Sequence, residues 1–342
     1  MSRWGKREWA ARVLAATGVG DAWRRLAPAG NRITILAYHR VYDVGEEDAF
    51  PFDPELVSAT LAGFRWQMEQ VLRVGSPITF ARLAEALDAR ADLPPRPIIV
   101  SFDDGHRDNF THAFPVLREF GIPATVFLST GYVGGTGTFW FDRVAQLLYH
   151  APSGRVRVPA VAFEAAVGDD VASRRESAGR LLRLLKAVPD TVRRSALADL
   201  EDALGSRPPP GDAALSGALT WDQVREMAQG GVEFGSHTVT HPVLTRLEDG
   251  PLTDELVSSR RAIEKEVGQP VTTIAYPVGG REAFDERVVS ASARAGYRFG
   301  VSYVSGVNAG VPDPYRLRRL HVERYTSRAY FQALLSAPRL FA

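Results

Sequence analysis

The stretch that decides the fold reads Ile98-Ile99-Val100-Ser101-Phe102-Asp103-Asp104-Gly105. A short β-branched run followed by two carboxylates and a glycine is typical of a buried strand that ends at the mouth of a site. Side chains alternate along a strand, so a bend at Gly105 is needed for Asp103 and Asp104 to face one pocket. Two close carboxylates persist where a cation neutralises one and leaves the other free to take a proton. A solvated Asp-Gly turn is the alternative.

Further strands with helices between them are predicted on both sides of this stretch. Thr79 and Thr220 are the expected N-caps of two of these helices. Alternation of strand and helix predicts an α/β fold with a parallel sheet, closed into a barrel when enough units follow. The predicted strands cover residues 33–39, 98–102, 124–128, 232–235, 271–275, 297–301 and 315–322.

Composition excludes several function classes. The 342 residues hold 41 Lys and Arg against 40 Asp and Glu, which gives no electrostatic case for nucleic acid as a partner. The absence of cysteine excludes thiolate catalysis, disulfides and cysteine zinc sites. Charges interrupt the N-terminus early and no uncharged apolar run reaches about 18 residues, so neither a signal peptide nor a membrane span is expected. The expected location is the cytoplasm or the inner face of a membrane.

Two regions lie outside the strand-helix alternation. Residues 1–30 predict an amphipathic helix, from Trp4 to Leu26, with Trp9, Val13, Leu14 and Trp23 as its apolar positions. Such a helix could lie on a membrane surface, although docking on the following domain, residues 31–342, is the more common use of an apolar stripe.

The second region, at about 142–219, has leucines at helical spacing and predicts a helical insertion that covers the site or shapes substrate access. Trp140 and Phe141 precede it and could form an aromatic wall for a sugar, or belong to the core.

A second constellation follows the strand at 232–235, where His237 and His241 stand four residues apart. At this spacing two imidazoles share one face if the segment turns as a helix. Two neutral imidazoles and one carboxylate form the three-ligand set of a catalytic zinc-type centre. The carboxylate pair at another strand end makes this interpretation more probable than chance spacing, because active sites of barrels lie at the carboxyl ends of strands.

Three further positions are candidate site residues. Tyr276, Pro277 and Gly279 form a tight loop after a strand, which allows close approach of a ligand and offers a backbone N–H to an oxyanion, or is an ordinary turn. His39 ends the strand at 33–39, and His321 is a second candidate for a general acid. The isolated His106, His112 and His150 are expected at the surface or in packing.

Together these motifs identify a resemblance. Ser-Phe-Asp-Asp-Gly at 101–105, Ser-His-Thr-Val-Thr-His at 236–241 and Tyr-Pro-Val-Gly at 276–279 resemble the polysaccharide deacetylases of carbohydrate esterase family 4, which share the nodulation-protein homology domain. The resemblance covers roughly residues 31–325. It implies a distorted (β/α)7 TIM-like barrel and hydrolysis of the N-acetyl group of an amino sugar. The implied cofactor is one divalent metal ion, Zn²⁺ first and Co²⁺ or Ni²⁺ as alternatives.

The resemblance also implies residue roles. Asp103 would be the general base, and Asp104, His237 and His241 the metal ligands. The family's third motif usually begins with an arginine that orients the base, whereas Ala275 stands there, so another group must orient Asp103.

The start of the domain carries a further likeness. Leu36-Ala37-Tyr38-His39 resembles the opening strand of the exopolysaccharide and poly-N-acetylglucosamine deacetylases, which favours His39 over His321 as the acid. An N-acetylated glycan is therefore the expected substrate. Two alternatives remain open: a hydrolase of a non-sugar amide, such as a cyclic imide or ureide, and a metal-free glycan-binding barrel.

Overall fold

The computed structural model describes residues 3–17, 32–135, 137–205, 217–309 and 313–341. Seven parallel strands form a closed barrel in chain order, each paired with the next and the last with the first. The predicted (β/α)7 barrel is therefore confirmed. Its strands are β1 (Arg32–Tyr38), β2 (Pro97–Phe102), β3 (Ala124–Leu128), β4 (Val232–Ser236), β5 (Thr273–Ala275), β6 (Phe299–Ser305) and β7 (Leu317–His321).

The barrel is closed unevenly. Strand β1 pairs with β2 through five consecutive positions, but β7 meets β1 at only two, Leu36 with Leu320 and Ala37 with His321. The register between β6 and β7 shifts between Val301 and Ser305. This register shift and the short β5, which has three residues, make the barrel irregular between β5 and β7.

Helices cover the outside of the barrel. Thr79 and Thr220 cap the helices Phe80–Ala89 and Trp221–Gln229 as predicted, because each threonine hydroxyl accepts from the backbone N–H three residues later. The helices are α1 (Arg3–Thr17), α2 (Leu61–Val74), α3 (Phe80–Ala89), α4 (Phe114–Phe120), α5 (Trp140–Tyr149), α6 (Val171–Ala187), α7 (Asp190–Leu204), α8 (Trp221–Gln229), α9 (Asp249–Val267), α10 (Glu286–Arg294), α11 (Arg328–Ser336) and α12 (Pro338–Phe341).

Alternation along the strands separates two apolar layers. Inward residues such as Ile35, Ile99 and Phe127 fill the barrel interior, while their neighbours Leu36 and Val100 pack beneath the helices. Both layers are buried, which is why β1, β2 and β3 are mostly apolar.

The insertion is only partly helical. It contains α5, α6 and α7, but between α5 and α6 two strands, Gly154–Val158 and Phe163–Val167, pair as an antiparallel hairpin that the sequence interpretation missed. These elements share an apolar cluster of their own, including Leu181 and Val158. The insertion is therefore a packed unit attached to the barrel.

Helix α1 packs against α11. Ala11 is buried in that contact, whereas Trp9 and Val13, which were predicted on the apolar face, are 65% and 41% exposed. Trp23 and Leu26 lie outside the described residues. A membrane contact of this helix stays a prediction, and none of the described helices is long and apolar enough to cross a bilayer.

Candidate active site

The two adjacent acids lie where β2 ends. The Asp103 N–H still bonds to Tyr38 O on β1 at 2.9 Å, and the chain then turns through left-handed residues, Asp104 at φ +71° and Gly105 at φ +80°. The predicted bend is present and begins one residue earlier, at Asp104. A Cβ at Gly105 would lie 2.6 Å from Leu128 Cδ2, so glycine is required there. Both carboxylates are buried and line one cleft.

His237 and His241 reach the same cleft from the loop after β4. The predicted helical turn is wrong: Thr238 and His241 have φ of +70° and +55°, and the segment is an irregular loop. The Glu255 carboxylate holds this loop by accepting from the N–H groups of Val239 and Thr240 at 2.6 and 2.9 Å. The two imidazole rings nevertheless meet, with centroids 4.8 Å apart.

The donor set fits a divalent metal ion. Asp104 Oδ1 lies 3.5 Å from His237 Nε2 and 3.3 Å from His241 Nε2, and the three ligand atoms lie within 4.8 Å of one another. Oδ1 is buried and has no hydrogen-bond partner among the described residues. His237 Nδ1 lies 2.8 Å from Ala275 O, which leaves Nε2 for a metal. Asp104, His237 and His241 could thus hold one ion.

His237 and Asp104 also have the protonation states that metal binding requires. Burial lowers the pKa of His237 to about 4, so its ring is neutral at neutral pH. Burial alone would raise the pKa of Asp104, but the neighbouring rings of His106 and His241 outweigh burial and hold it well below the usual value. A neutral imidazole and an ionised carboxylate are the forms that bind metal.

Asp103 is oriented by Arg319, a partner that the sequence interpretation missed. The guanidinium, fully buried on β7, donates from Nη1 and Nη2 to the two oxygens of Asp103 at 2.7 Å each, and its Nε donates to Ser302 O at 2.9 Å. Burial would raise the pKa of Asp103, but the charge of Arg319 outweighs it and the pKa is lowered. The resemblance implied an arginine at the position of Ala275 to orient the base. Arg319 provides that guanidinium from β7 instead.

His39 and His321 occupy different environments. His39 lines the cleft, and its Nε2 lies 3.9 Å from Asp103 Oδ2. His321 does not line the cleft; its ring stacks on that of Tyr303, with centroids 3.6 Å apart. Burial lowers the pKa of both rings, that of His321 to about 4. Of the two, His39 is placed to reach a bound substrate.

Side chains from three other parts of the chain line the cleft. The insertion provides Phe141, Leu182 and Lys186, and the loop after β1 provides Asp53, Glu55 and Leu56. Tyr303 and Glu323 complete the wall on the β6 and β7 side. The insertion therefore contributes side chains to the wall of the cleft that holds the paired acids.

A model of the polysaccharide deacetylase family matches residues 90–300. The chain belongs to this family. YxkH of Bacillus subtilis, which bears the name polysaccharide deacetylase, is 22% identical over 240 residues, covering 70% of this chain and 56% of its own length. A poly-beta-1,6-N-acetyl-D-glucosamine N-deacetylase of Staphylococcus epidermidis is 25% identical over 179 residues, covering 51% of this chain and 59% of the relative. The chain thus spans little more than half the length of either.

Solved structures of deacetylases share the fold. The Streptococcus pyogenes deacetylase PplD superimposes with a TM-score of 0.57 at 20% identity, over 87% of this chain and 95% of PplD. IcaB from Ammonifex degensii gives a TM-score of 0.55 at 18% identity, over 92% of this chain and 98% of IcaB. At these identities the likeness concerns the fold alone.

The expected substrate-binding residues are placed less favourably. Trp140 is buried and its indole N–H donates to His241 O at 3.0 Å, so it supports the histidine loop and does not face the cleft. Its neighbour Phe141 lines the cleft, and the ring centroids of Phe141 and His241 are 5.0 Å apart. Of the two aromatic side chains expected to form a wall, Phe141 is therefore the one that lines the cleft.

The loop at 276–279 contributes backbone more than side chains. Tyr276 lines the cleft, but its hydroxyl donates to Tyr315 O and its N–H to Val301 O, both at 3.0 Å. Pro277 and Gly279 do not line the cleft, whereas Val278 does, with φ +62°. No described group accepts from the Val278 N–H. Val278 is thus the member of this loop that offers a free donor to a ligand.

Proposed function

We propose that this protein is a metal-dependent hydrolase that removes N-acetyl groups from an amino sugar within a polysaccharide or another glycan. One observation carries the proposal: in a single cleft, a carboxylate held by an arginine lies beside a second carboxylate that faces two imidazoles. This arrangement separates a base from a ligand set, as hydrolysis of an unactivated amide requires.

Asp104, His237 and His241 would hold the metal. Zn²⁺ suits this nitrogen and oxygen donor set, and Co²⁺ or Ni²⁺ would also be accepted. When bound, the ion would polarise the amide carbonyl and lower the pKa of a coordinated water towards about 7. His237 is prepared for this role because Ala275 O fixes its other nitrogen.

The chain's own groups would move the protons. Asp103, kept ionised by Arg319, takes a proton from the attacking water. Each Asp103 oxygen accepts one bond from the guanidinium, so lone pairs remain for that proton. His39 protonates the leaving amine from the cleft wall, and the Val278 N–H donates to the oxyanion that develops on the carbonyl oxygen.

Poly-N-acetylglucosamine is the first substrate to test. Two of the relatives, from Staphylococcus epidermidis and Escherichia coli, are named poly-beta-1,6-N-acetyl-D-glucosamine N-deacetylases. The Escherichia coli match is 29% identical over 94 residues but covers only 13% of that protein. The chemistry of the cleft agrees with an amino sugar, because Phe141 offers an aromatic face beside the histidines.

The test is acetate release by the metal-loaded protein from a panel of β-1,6- and β-1,4-linked N-acetylglucosamine oligomers, chitin and peptidoglycan, with a cyclic imide and a ureide as non-sugar amides. We expect release from at least one N-acetylated glycan. Asp103→Asn should keep the metal and abolish release, whereas His237→Ala should lose both. Ring opening of the imide or ureide without acetate release would replace the proposal, and glycan binding by a protein that takes up no metal would make it a binding module.

A further inference from the structure

A fully buried imidazole touches the proposed metal ligand from the side away from the two ligand histidines. His106 Nε2 lies 3.4 Å from Asp104 Oδ2, while Asp104 Oδ1 faces His237 and His241. Of the two places predicted for His106, the surface or packing, its exposure of 0% agrees with packing. The two oxygens of Asp104 are therefore divided between different neighbours.

The surroundings of His106 leave its ring few polar neighbours. The ring lies against Phe139, with centroids 4.6 Å apart, and Phe141 at 6.5 Å. Among the described residues neither ring nitrogen has a partner at ordinary hydrogen-bond geometry, and 3.4 Å to Asp104 is the one close approach to a carboxylate. Burial of an imidazole without a full hydrogen bond costs free energy. The contact with Asp104 is the polar interaction that can offset this cost.

A second buried acid lies close to this part of the site. Asp142, in the first turn of α5, is fully buried, and neither of its oxygens has a hydrogen-bond partner among the described residues. Its chain neighbour Phe141 has its ring centroid 6.5 Å from that of His106. The insertion thus contributes both an aromatic ring and a buried carboxyl group to this region.

We propose that His106 is a positioning residue of the metal site, which donates its Nε2–H to Oδ2 of Asp104 so that Oδ1 points to the metal. The inference rests on the proposed function, because it presumes that Asp104 binds a metal.

The physical reason is the freedom of a carboxylate. A free Asp104 side chain could rotate or bind a cation through both oxygens, whereas a donor on one oxygen fixes a single lone-pair direction on the other. Loss of such an outer partner typically weakens metal binding about 10–100-fold. His106 needs no part in the chemical step for this effect.

The test measures Co²⁺ affinity by competition with a chromophoric chelator, together with the visible absorption of the Co²⁺ protein. His106→Leu should weaken Co²⁺ binding about 10–100-fold and alter the spectrum. His106→Gln, which keeps an N–H near the position of Nε2, should restore most of the affinity and the spectrum. His150→Leu, at an exposed histidine, is the matched control and should behave like the wild type.

Two results would overturn the inference. One is a folded His106→Leu protein that binds Co²⁺ as tightly as the wild type, and the other is a His106→Gln protein as weak as His106→Leu, which would reduce His106 to packing. If His106→Leu fails to fold, His106→Gln decides, because a folded His106→Gln protein with lost Co²⁺ affinity contradicts the proposal. Failure of the proposed function looks different: Co²⁺ binds normally and no acetate is released.

Discussion

Arg319→Met is the substitution that tests most directly how the base is held. Methionine fills much of the space of the arginine stem but removes the guanidinium that bonds to both oxygens of Asp103. The side chains of Arg319 and Asp103 are 0% and 3% exposed, so solvent cannot replace the lost partner. Removal of one member of a buried pair costs about 3–5 kcal/mol, because the remaining charge is left buried and unpaired. We expect a loss of unfolding free energy of this size at neutral pH in the metal-free protein.

The loss should depend on pH in a defined direction. In the wild type the pKa of Asp103 is lowered, so its ionised form stabilises the fold above the unfolded pKa of about 3.9, and this contribution is lost as pH falls through the folded pKa. Without Arg319, the main influence that lowers the pKa of Asp103 is gone, so burial raises this pKa above its value in the wild type. The deficit of the variant should therefore be full at pH 7 and shrink as the pH falls and Asp103 becomes protonated.

Urea unfolding of the metal-free proteins at several pH values measures this deficit, and the pH dependence of kcat/KM in the loaded enzymes should show the acid limb of Arg319→Met at higher pH. Arg319→Lys keeps the charge but loses the two-pronged geometry, so it should fall between the two. In the double variant Asp103→Asn/Arg319→Met, the stability loss should be smaller than the sum of the single losses. A deficit within about 0.5 kcal/mol, the range of ordinary surface substitutions, would refute the reasoning.

Four other substitutions separate roles in and around the cleft. His39→Ala should lower kcat for acetate release about 10²–10⁴-fold as the loss of a general acid, and His321→Ala, behind Tyr303, should lower it less; the reverse order would transfer the acid role to His321. Trp140→Phe removes the donor to His241 O and keeps an aromatic ring, so the lost hydrogen bond should cost about 0.5–1.5 kcal/mol of stability and weaken metal retention, and wild-type values in both measurements would contradict that role. Glu255→Gln weakens the acceptor of the hydrogen bonds that hold the 238–241 loop, so the zinc content after dialysis against a chelator should fall. Full retention of zinc would mean that the loop keeps its conformation without the Glu255 carboxylate.

The strand ends were predictable because they depend on local signals. A β-branched run that stops at Asp-Asp-Gly or at Tyr-Pro-Val-Gly marks both a strand and its carboxyl end. Parallel barrel strands bring those ends together, so residues 103–104 and 237–241 could be assigned to one cleft. The local shape between His237 and His241 could not, since Thr238 and His241 adopt positive φ, which residues other than glycine rarely do.

Arg319 was missed for a different reason. Its partner lies 216 positions earlier in the chain, and only closure of the barrel places β7 beside β1 and near the end of β2. A signal did exist, because Leu317, Arg319 and His321 fall on one face of β7 by strand alternation. The hairpin in the insertion was also legible, since Arg155-Val156-Arg157-Val158 alternates with period two.

The two adjacent acids can differ in chemistry because each has its own counter-charge. Asp103 has a fixed cation in Arg319, which occupies one lone pair on each oxygen and leaves the others directed to the cleft and His39. Asp104 instead has an oxygen free of protein hydrogen-bond donors, within 3.5 Å of two imidazole nitrogens. If the roles were exchanged, a metal would have to compete with the guanidinium for Asp103. The left-handed turn at Asp104 therefore directs two consecutive carboxylates to different partners. Asp103 faces the guanidinium of Arg319, and Asp104 faces the imidazoles of His237 and His241.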